Sequence, residues 1–98
     1  MTFTHVVAFR WKDDTDPAAI ESVTRALTAL TDGFPGIESY LCGSDIGLSQ
    51  GAYDYAIVGR FAGRDEFVAY RDHPEHQRIL TELIVPALND RVVVQLEG

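Results

Sequence analysis

The residues of this 98-residue chain best equipped to move a proton are its three histidines and four tyrosines. A neutral imidazole has an ordinary pKa of about 6.5, so it can accept a proton near neutral pH. His76 opens an apolar stripe with Ile79, Leu80 and Leu83, which aims it at whatever that helix packs upon. Tyr70 could place a phenol beside it to steady a developing enolate while His76 takes the proton. Six residues of unbroken helix turn through roughly 600°, which leaves two such side chains about 120° apart. His73-Pro74 lies between them, however, and a residue before proline avoids the helical region, so a break there lets Tyr70 and His76 converge. These two form the candidate catalytic pair.

His5, Tyr55 and Phe67 are the candidate substrate-binding residues. His5 alternates with Phe3, Val7 and Phe9 along one strand face. It reads either as a core histidine satisfied by hydrogen bonds or as a cavity residue that orients a ligand carbonyl. The same choice faces the others. His76 could simply serve free backbone groups at a helix start, and Tyr70 could be a core ring with its hydroxyl at a rim. Asp72, His73, Glu75 and His76 lack the spacing of a recognised metal motif, so no metal is expected. Gly43, Gly47 and Gly51 form no phosphate loop, so no nucleotide or other cofactor is expected either. Cys42 is the lone cysteine, suited to packing more than to attack.

Composition narrows the setting. A chain with 46% hydrophobic and 23% charged residues can build one core. A formal net charge of −7 repels phosphate backbones and argues against nucleic acid. No apolar run approaches the roughly 20 residues of a membrane span, and no basic-then-apolar leader opens the sequence, so a cytoplasmic protein is expected.

The elements that must position these residues follow from periodicity. Thr2 to Trp11 reads as a strand with Phe3, His5, Val7, Phe9 and Trp11 on one face. Asp16-Pro17 caps and starts a helix whose Ile20, Val23, Leu27 and Leu30 form one stripe, with Gly33 as its stop. Strands are expected at Ile37–Ile46, Tyr53–Phe61 and Arg91–Leu96. A second helical region begins near Arg64, breaks at His73-Pro74, and ends or bends at Pro86. The order strand-helix-strand-strand-helix-strand predicts an α+β, ferredoxin-like βαββαβ fold in a single domain spanning residues 1–98. Its four-stranded antiparallel sheet would carry helices on one face.

Two helices cover only one side of such a sheet. Yet Val6, Ala8, Ala56 and Val58, opposite the first set, are apolar too, and a wetted sheet face should be polar. A homodimer through the sheet faces is therefore expected.

Three segments carry a resemblance to a known family. Thr4-His5-Val6-Val7-Ala8-Phe9-Arg10-Trp11-Lys12, the Tyr70-Arg71-Asp72-His73-Pro74-Glu75-His76 element and the closing Arg91-Val92-Val93-Val94-Gln95-Leu96 are similar to those of Dabb proteins, the stress-responsive A/B barrels. The resemblance covers almost the whole chain, and its His-Pro-x-His element is the specific part. It implies a dimeric α+β barrel and, in members with a known activity, a pocket between sheet and helices. A few plant polyketide cyclases of the family perform an aldol condensation without metal or organic cofactor. The positions that match theirs are His5, Tyr70 and His76. This chain has Tyr55 where they have a further histidine, and Leu27 where they have a tyrosine.

The expected function is therefore a homodimeric protein that binds a small apolar or aromatic ligand. As an enzyme it would be a cofactor-free cyclase or lyase acting on polyketide-like keto substrates by proton abstraction. The alternative is a non-enzymatic stress-responsive structural dimer. A monooxygenase of the antibiotic-biosynthesis kind is a further reading, on fold analogy alone.

Overall fold

The computed structural model describes residues 1–98. Strand β1 (Phe3–Trp11) leads into helix α1 (Pro17–Thr31), then strands β2 (Ile37–Ser44) and β3 (Tyr55–Phe61). Helices α2 (Arg64–Asp72) and α3 (Pro74–Ile79) follow, and β4 (Leu88–Glu97) closes the chain. The sheet order is β2-β3-β1-β4, with every neighbouring pair antiparallel. This is the expected ferredoxin-like α+β arrangement.

Local chemistry sets the element ends. Asp16 caps α1 by accepting from the Ala18 N–H at 2.9 Å, and Pro17 occupies the first turn, where its missing N–H costs nothing. The strand expected to run to Ile46 stops at Ser44, because Asp45 turns the chain and its carboxylate accepts from the Gly47 N–H at 2.9 Å. The strand expected from Tyr53 begins at Tyr55. Asp54 is diverted to β1, its carboxylate taking the Trp11 N–H at 2.9 Å. Tyr53 instead lies under the Arg10 guanidinium, 4.2 Å from carbon to ring centre. Strand β4 starts earlier than expected, at Leu88, which pairs with Trp11 beyond a register shift at Arg10/Trp11.

The break at His73-Pro74 is real and capped. His73 has an extended ψ of 132°, and its Nδ1 accepts the Glu75 N–H at 3.1 Å to start α3. From Leu80 to Ile84 the helix widens into a π turn, in which the Val85 N–H reaches the Leu80 carbonyl. Pro86, which has no N–H to give, then ends the helical run through a short 3₁₀ turn.

The helices lie on one face of the sheet and build two adjoining clusters there. Val7, Phe9, Trp11, Val23, Leu27, Tyr55, Ile57, Ile79 and Ile84 form the larger, and Phe3, Phe61, Phe67 and Tyr70 the smaller. Gly59 makes the smaller one possible. A side chain at Gly59 would press on the Phe61 ring at 3.0 Å and the Tyr40 ring at 3.3 Å. The other face is bare. Across it run Leu41, Val58, Val6 and Val94 in one row, and Gly43, Ala56, Ala8 and Val92 in the next. No helix is long and apolar enough to cross a membrane.

Candidate functional site

The inner face of the sheet is sealed by helices over β3 and β1 but not over β4. The gap is a cavity of about 200 Å³. Its floor is His5, Val7 and Phe9 of β1 with Arg91, Val93 and Gln95 of β4. Register explains the set, since Gln95 pairs with His5, Val93 with Val7 and Arg91 with Phe9. Phe67, Tyr70 and Arg71 of α2, His76 of α3, and Leu80 and Ile84 of the π turn supply the opposite wall. A larger and more open groove of about 870 Å³ runs between α1 and β2, but its lining is mostly polar and holds no histidine.

Tyr70 and His76 do converge. Their ring centres are 4.4 Å apart at an interplanar angle of 50°. The break after Asp72 is what allows it. The end of α2 leaves the Arg71 carbonyl free of helical partners, and two side chains of α3 reach back to it. His76 Nδ1 lies 2.9 Å from that oxygen and Gln77 Nε2 donates to it at 2.7 Å. A carbonyl can only accept, so the neutral His76 ring carries its hydrogen on Nδ1 and leaves Nε2 as a bare acceptor. The residue is 9% exposed.

His5 holds the complementary tautomer. The Gln95 amide N–H donates to His5 Nδ1 at 3.3 Å, which leaves the His5 hydrogen on Nε2. The His5 ring rests against Phe67, 4.8 Å between centres, and Phe67 in turn stacks on Phe3 at 4.7 Å. The cavity thus presents one imidazole donor and one imidazole acceptor against an apolar wall.

Electrostatics keep both rings neutral. Burial lowers the His5 pKa to about 4, with help from the neighbouring His76 and the Arg91 guanidinium. Burial also lowers His76, opposed by its hydrogen bond to the Arg71 carbonyl. Tyr70 is pushed up to about 12 by burial, against the pull of the Tyr40 hydroxyl.

Two sequence expectations change at this point. Tyr55 does not line the cavity. It is 1% exposed, packs on Phe9 and Trp11, and its hydroxyl pairs with Thr24 Oγ1 at 2.6 Å. It faces the same side of the sheet as His5, but it sits on β3 at the other end of the β1 pairing, opposite Phe9. Tyr70 lines the cavity with its ring, while its hydroxyl is 2.8 Å from that of Tyr40, a β2 residue outside the lining. The rest of the acidic and histidine cluster is accounted for locally. His73 caps α3, Glu75 pairs with Arg78 at 2.5 Å and Asp72 with Arg71 at 2.8 Å.

Sequence reasoning missed Arg91 and Gln95. Both lie at odd positions of β4, in step with Val93 and facing the same side as His5. Period-two alternation across Arg91, Val93 and Gln95 was the available signal, hidden because the run of valines between them reads as a uniformly apolar strand.

Comparison with known proteins agrees with this architecture. The stress-responsive A/B barrel domain model, Dabb, matches residues 3–97. A stress-response A/B barrel domain-containing protein of Arabidopsis thaliana is 29% identical over 94 residues, covering 92% of this chain. The chain spans about a third (34%) of that relative's length. A dimeric ferredoxin-like protein of unknown function from Thermobifida fusca superposes with a TM-score of 0.90 at 43% identity, covering 98% of this chain and 90% of the other. The hydroxynitrile lyase of Passiflora edulis shares the fold, with a TM-score of 0.82 at 19% identity over 97% of this chain and 91% of the enzyme. With the family model matched over nearly every residue from β1 to β4, the chain belongs to the Dabb family of stress-responsive A/B barrel domains.

Proposed function

We propose that this protein is a homodimer that binds a small aryl or apolar keto compound in the β1/β4 cavity and removes a proton next to its carbonyl without a cofactor. The geometry that carries the reading is the pair of ring contacts, His76 Nδ1 at the Arg71 carbonyl and His5 Nδ1 at the Gln95 amide nitrogen, which assign the two imidazoles opposite tautomers. Nε2 of His76 is the base, and the Nε2–H of His5 donates to the carbonyl oxygen as it gains enolate charge. Such a step opens either an aldol cyclisation or a β-elimination, since both of these proceed through the enolate. Tyr70 is a positioning residue in this scheme. Its ring supports the His76 imidazole, and its hydroxyl is already engaged by Tyr40.

The dimer is proposed to form through the bare sheet face. Val92, Val94 and Leu96 are 48%, 53% and 55% exposed there, a patch that a second copy would cover. The 43% identical Thermobifida fusca protein is itself described as dimeric.

Exchange of the benzylic protons of phenylacetone in heavy water, followed by proton NMR, tests the chemistry. The protein is expected to accelerate exchange above buffer. His76→Gln should remove that acceleration, and Tyr70→Phe should keep most of it. Equal rates for the unaltered protein and His76→Gln would overturn the reading. A second reading, a non-enzymatic structural dimer, has its own support in the complete burial of Tyr70, which is 1% exposed. It would be favoured if both substitutions lowered the melting temperature and no aryl ketone raised it.

A further inference from the structure

The cavity wall holds two guanidinium groups, and they differ in one respect. Arg71 is spent on Asp72, with Nε to Oδ1 at 2.8 Å and Nη2 to Oδ2 at 3.2 Å. The Arg91 guanidinium makes no hydrogen bond or ion pair, although the chain carries fifteen acidic residues and a net charge of −7. Most other arginines are occupied. Arg64 pairs with Glu97, Arg78 with Glu75 and Glu82, Arg25 with Glu21, and Arg10 covers Tyr53. Arg60, which also lacks a partner, pairs with Thr4 in the sheet and lies on the bare face, away from the cavity.

The strand itself keeps Arg91 free. The adjacent Asp90 is the nearest carboxylate in sequence, but alternation sends it to the opposite side. There Asp90 accepts from the Tyr53 hydroxyl at 2.9 Å. Arg91 lies opposite Phe9 at the mouth of the cavity, near enough to His5 to disfavour a proton on that ring.

We propose that the natural ligand is an apolar or aromatic molecule bearing a carboxylate, with the carboxylate gripped by Arg91 and the body of the molecule against Phe67 and Val7. A guanidinium offers two parallel N–H donors that match a carboxylate in both spacing and charge. Both histidines are neutral, so Arg91 is the one uncommitted charge in the lining. This assignment rests on the β1/β4 cavity being the ligand site and adds the class of compound it takes.

Calorimetric titration with cinnamate and with its neutral isostere cinnamamide separates the two claims. The unaltered dimer should bind cinnamate at least tenfold more tightly than cinnamamide. Arg91→Gln should close the gap between cinnamate and cinnamamide, mainly by weakening cinnamate, and Arg71→Gln should preserve the gap. Equal affinities in the unaltered protein would overturn the carboxylate assignment yet leave the cavity as a ligand site. A gap that survives Arg91→Gln would overturn the role of Arg91. Failure of both probes to bind at millimolar concentration would overturn the assignment and the cavity reading together.

Discussion

The two faces of the sheet are built from the same four strands and differ in what they carry. The helix-facing side holds rings, with Phe3, Phe9, Trp11, Tyr55 and Phe61 all buried. The middle of the bare side holds the short side chains of Val6, Ala8, Ala56, Val58, Val92 and Val94, with Leu41, Arg60 and Leu96 toward its margins. Rings interlock with helices that approach at one fixed depth, so this side is closed within one chain except over β4. Short branched side chains make an even surface, and an even surface suits another sheet pressed against it at close range. Apolar character alone therefore does not distinguish a core from an interface. What differs between the two faces is side-chain size.

The largest effect should come from disturbing the bare face. Val6 sits at the middle of the row Leu41, Val58, Val6 and Val94. Val6→Asp would put one unpaired carboxylate from each copy into the proposed interface, at a combined cost of well over about 5 kcal/mol. Light scattering should then report half the mass of the unaltered protein, with the far-ultraviolet circular dichroism retained. A dimer that survives Val6→Asp would show that the bare face is not the interface.

Phe61→Ala tests the opposite face and should be the next largest. Phe61 is fully buried, with ring centres of Phe67 and Tyr70 at 5.4 and 5.2 Å. Loss of such a ring costs about 3–5 kcal/mol. Urea denaturation should show the loss at every protein concentration, whereas the Val6→Asp effect should depend on concentration. A Phe61→Ala penalty below about 1 kcal/mol would mean that the inner clusters are not what holds the chain together.

How much of this is legible in the sequence follows from the same contrast. Alternation in β1 and the stripe of α1 give the strand, the helix and their faces, because each repeats a single period over many residues. The His73-Pro74 break is legible too, since proline restricts its predecessor whatever surrounds it. Tyr55 is misplaced by sequence reasoning for a different reason. Period-two reading assigns a face but not a strand neighbour, and the cavity lies over β1 and β4 while Tyr55 belongs to β3. Gln95 and Arg91 escape notice as site residues for the converse reason, since alternation gives their face but not their neighbours. Only the pairing of the first and last strands, 90 residues apart in the His5–Gln95 contact, brings them to the histidine.

The smallest effect expected is also the one most specific to the open end of the inner face. His5 belongs to the same alternating set as Phe3, Val7 and Phe9, yet water still reaches it, so it tests whether the cavity is core or site. In the unfolded chain its imidazole titrates near 6.5, and in the fold it resists protonation until about pH 4. Between those values the unfolded chain holds the extra proton, so the fold loses stability as pH falls from about 6.5 to about 4 and regains it as pH rises. The full shift would carry roughly 3 kcal/mol, but partial exposure to solvent reduces the expected contribution to about 1 kcal/mol. His5→Gln keeps a polar side chain and removes the titration. Its melting temperature should therefore fall less steeply than that of the unaltered protein across this window, and the two should run parallel above about pH 7. Parallel curves throughout would mean that His5 meets water as freely as in the unfolded chain. The donor proposed for the carbonyl oxygen would then lack the sheltered surroundings that make a hydrogen bond to an enolate strong.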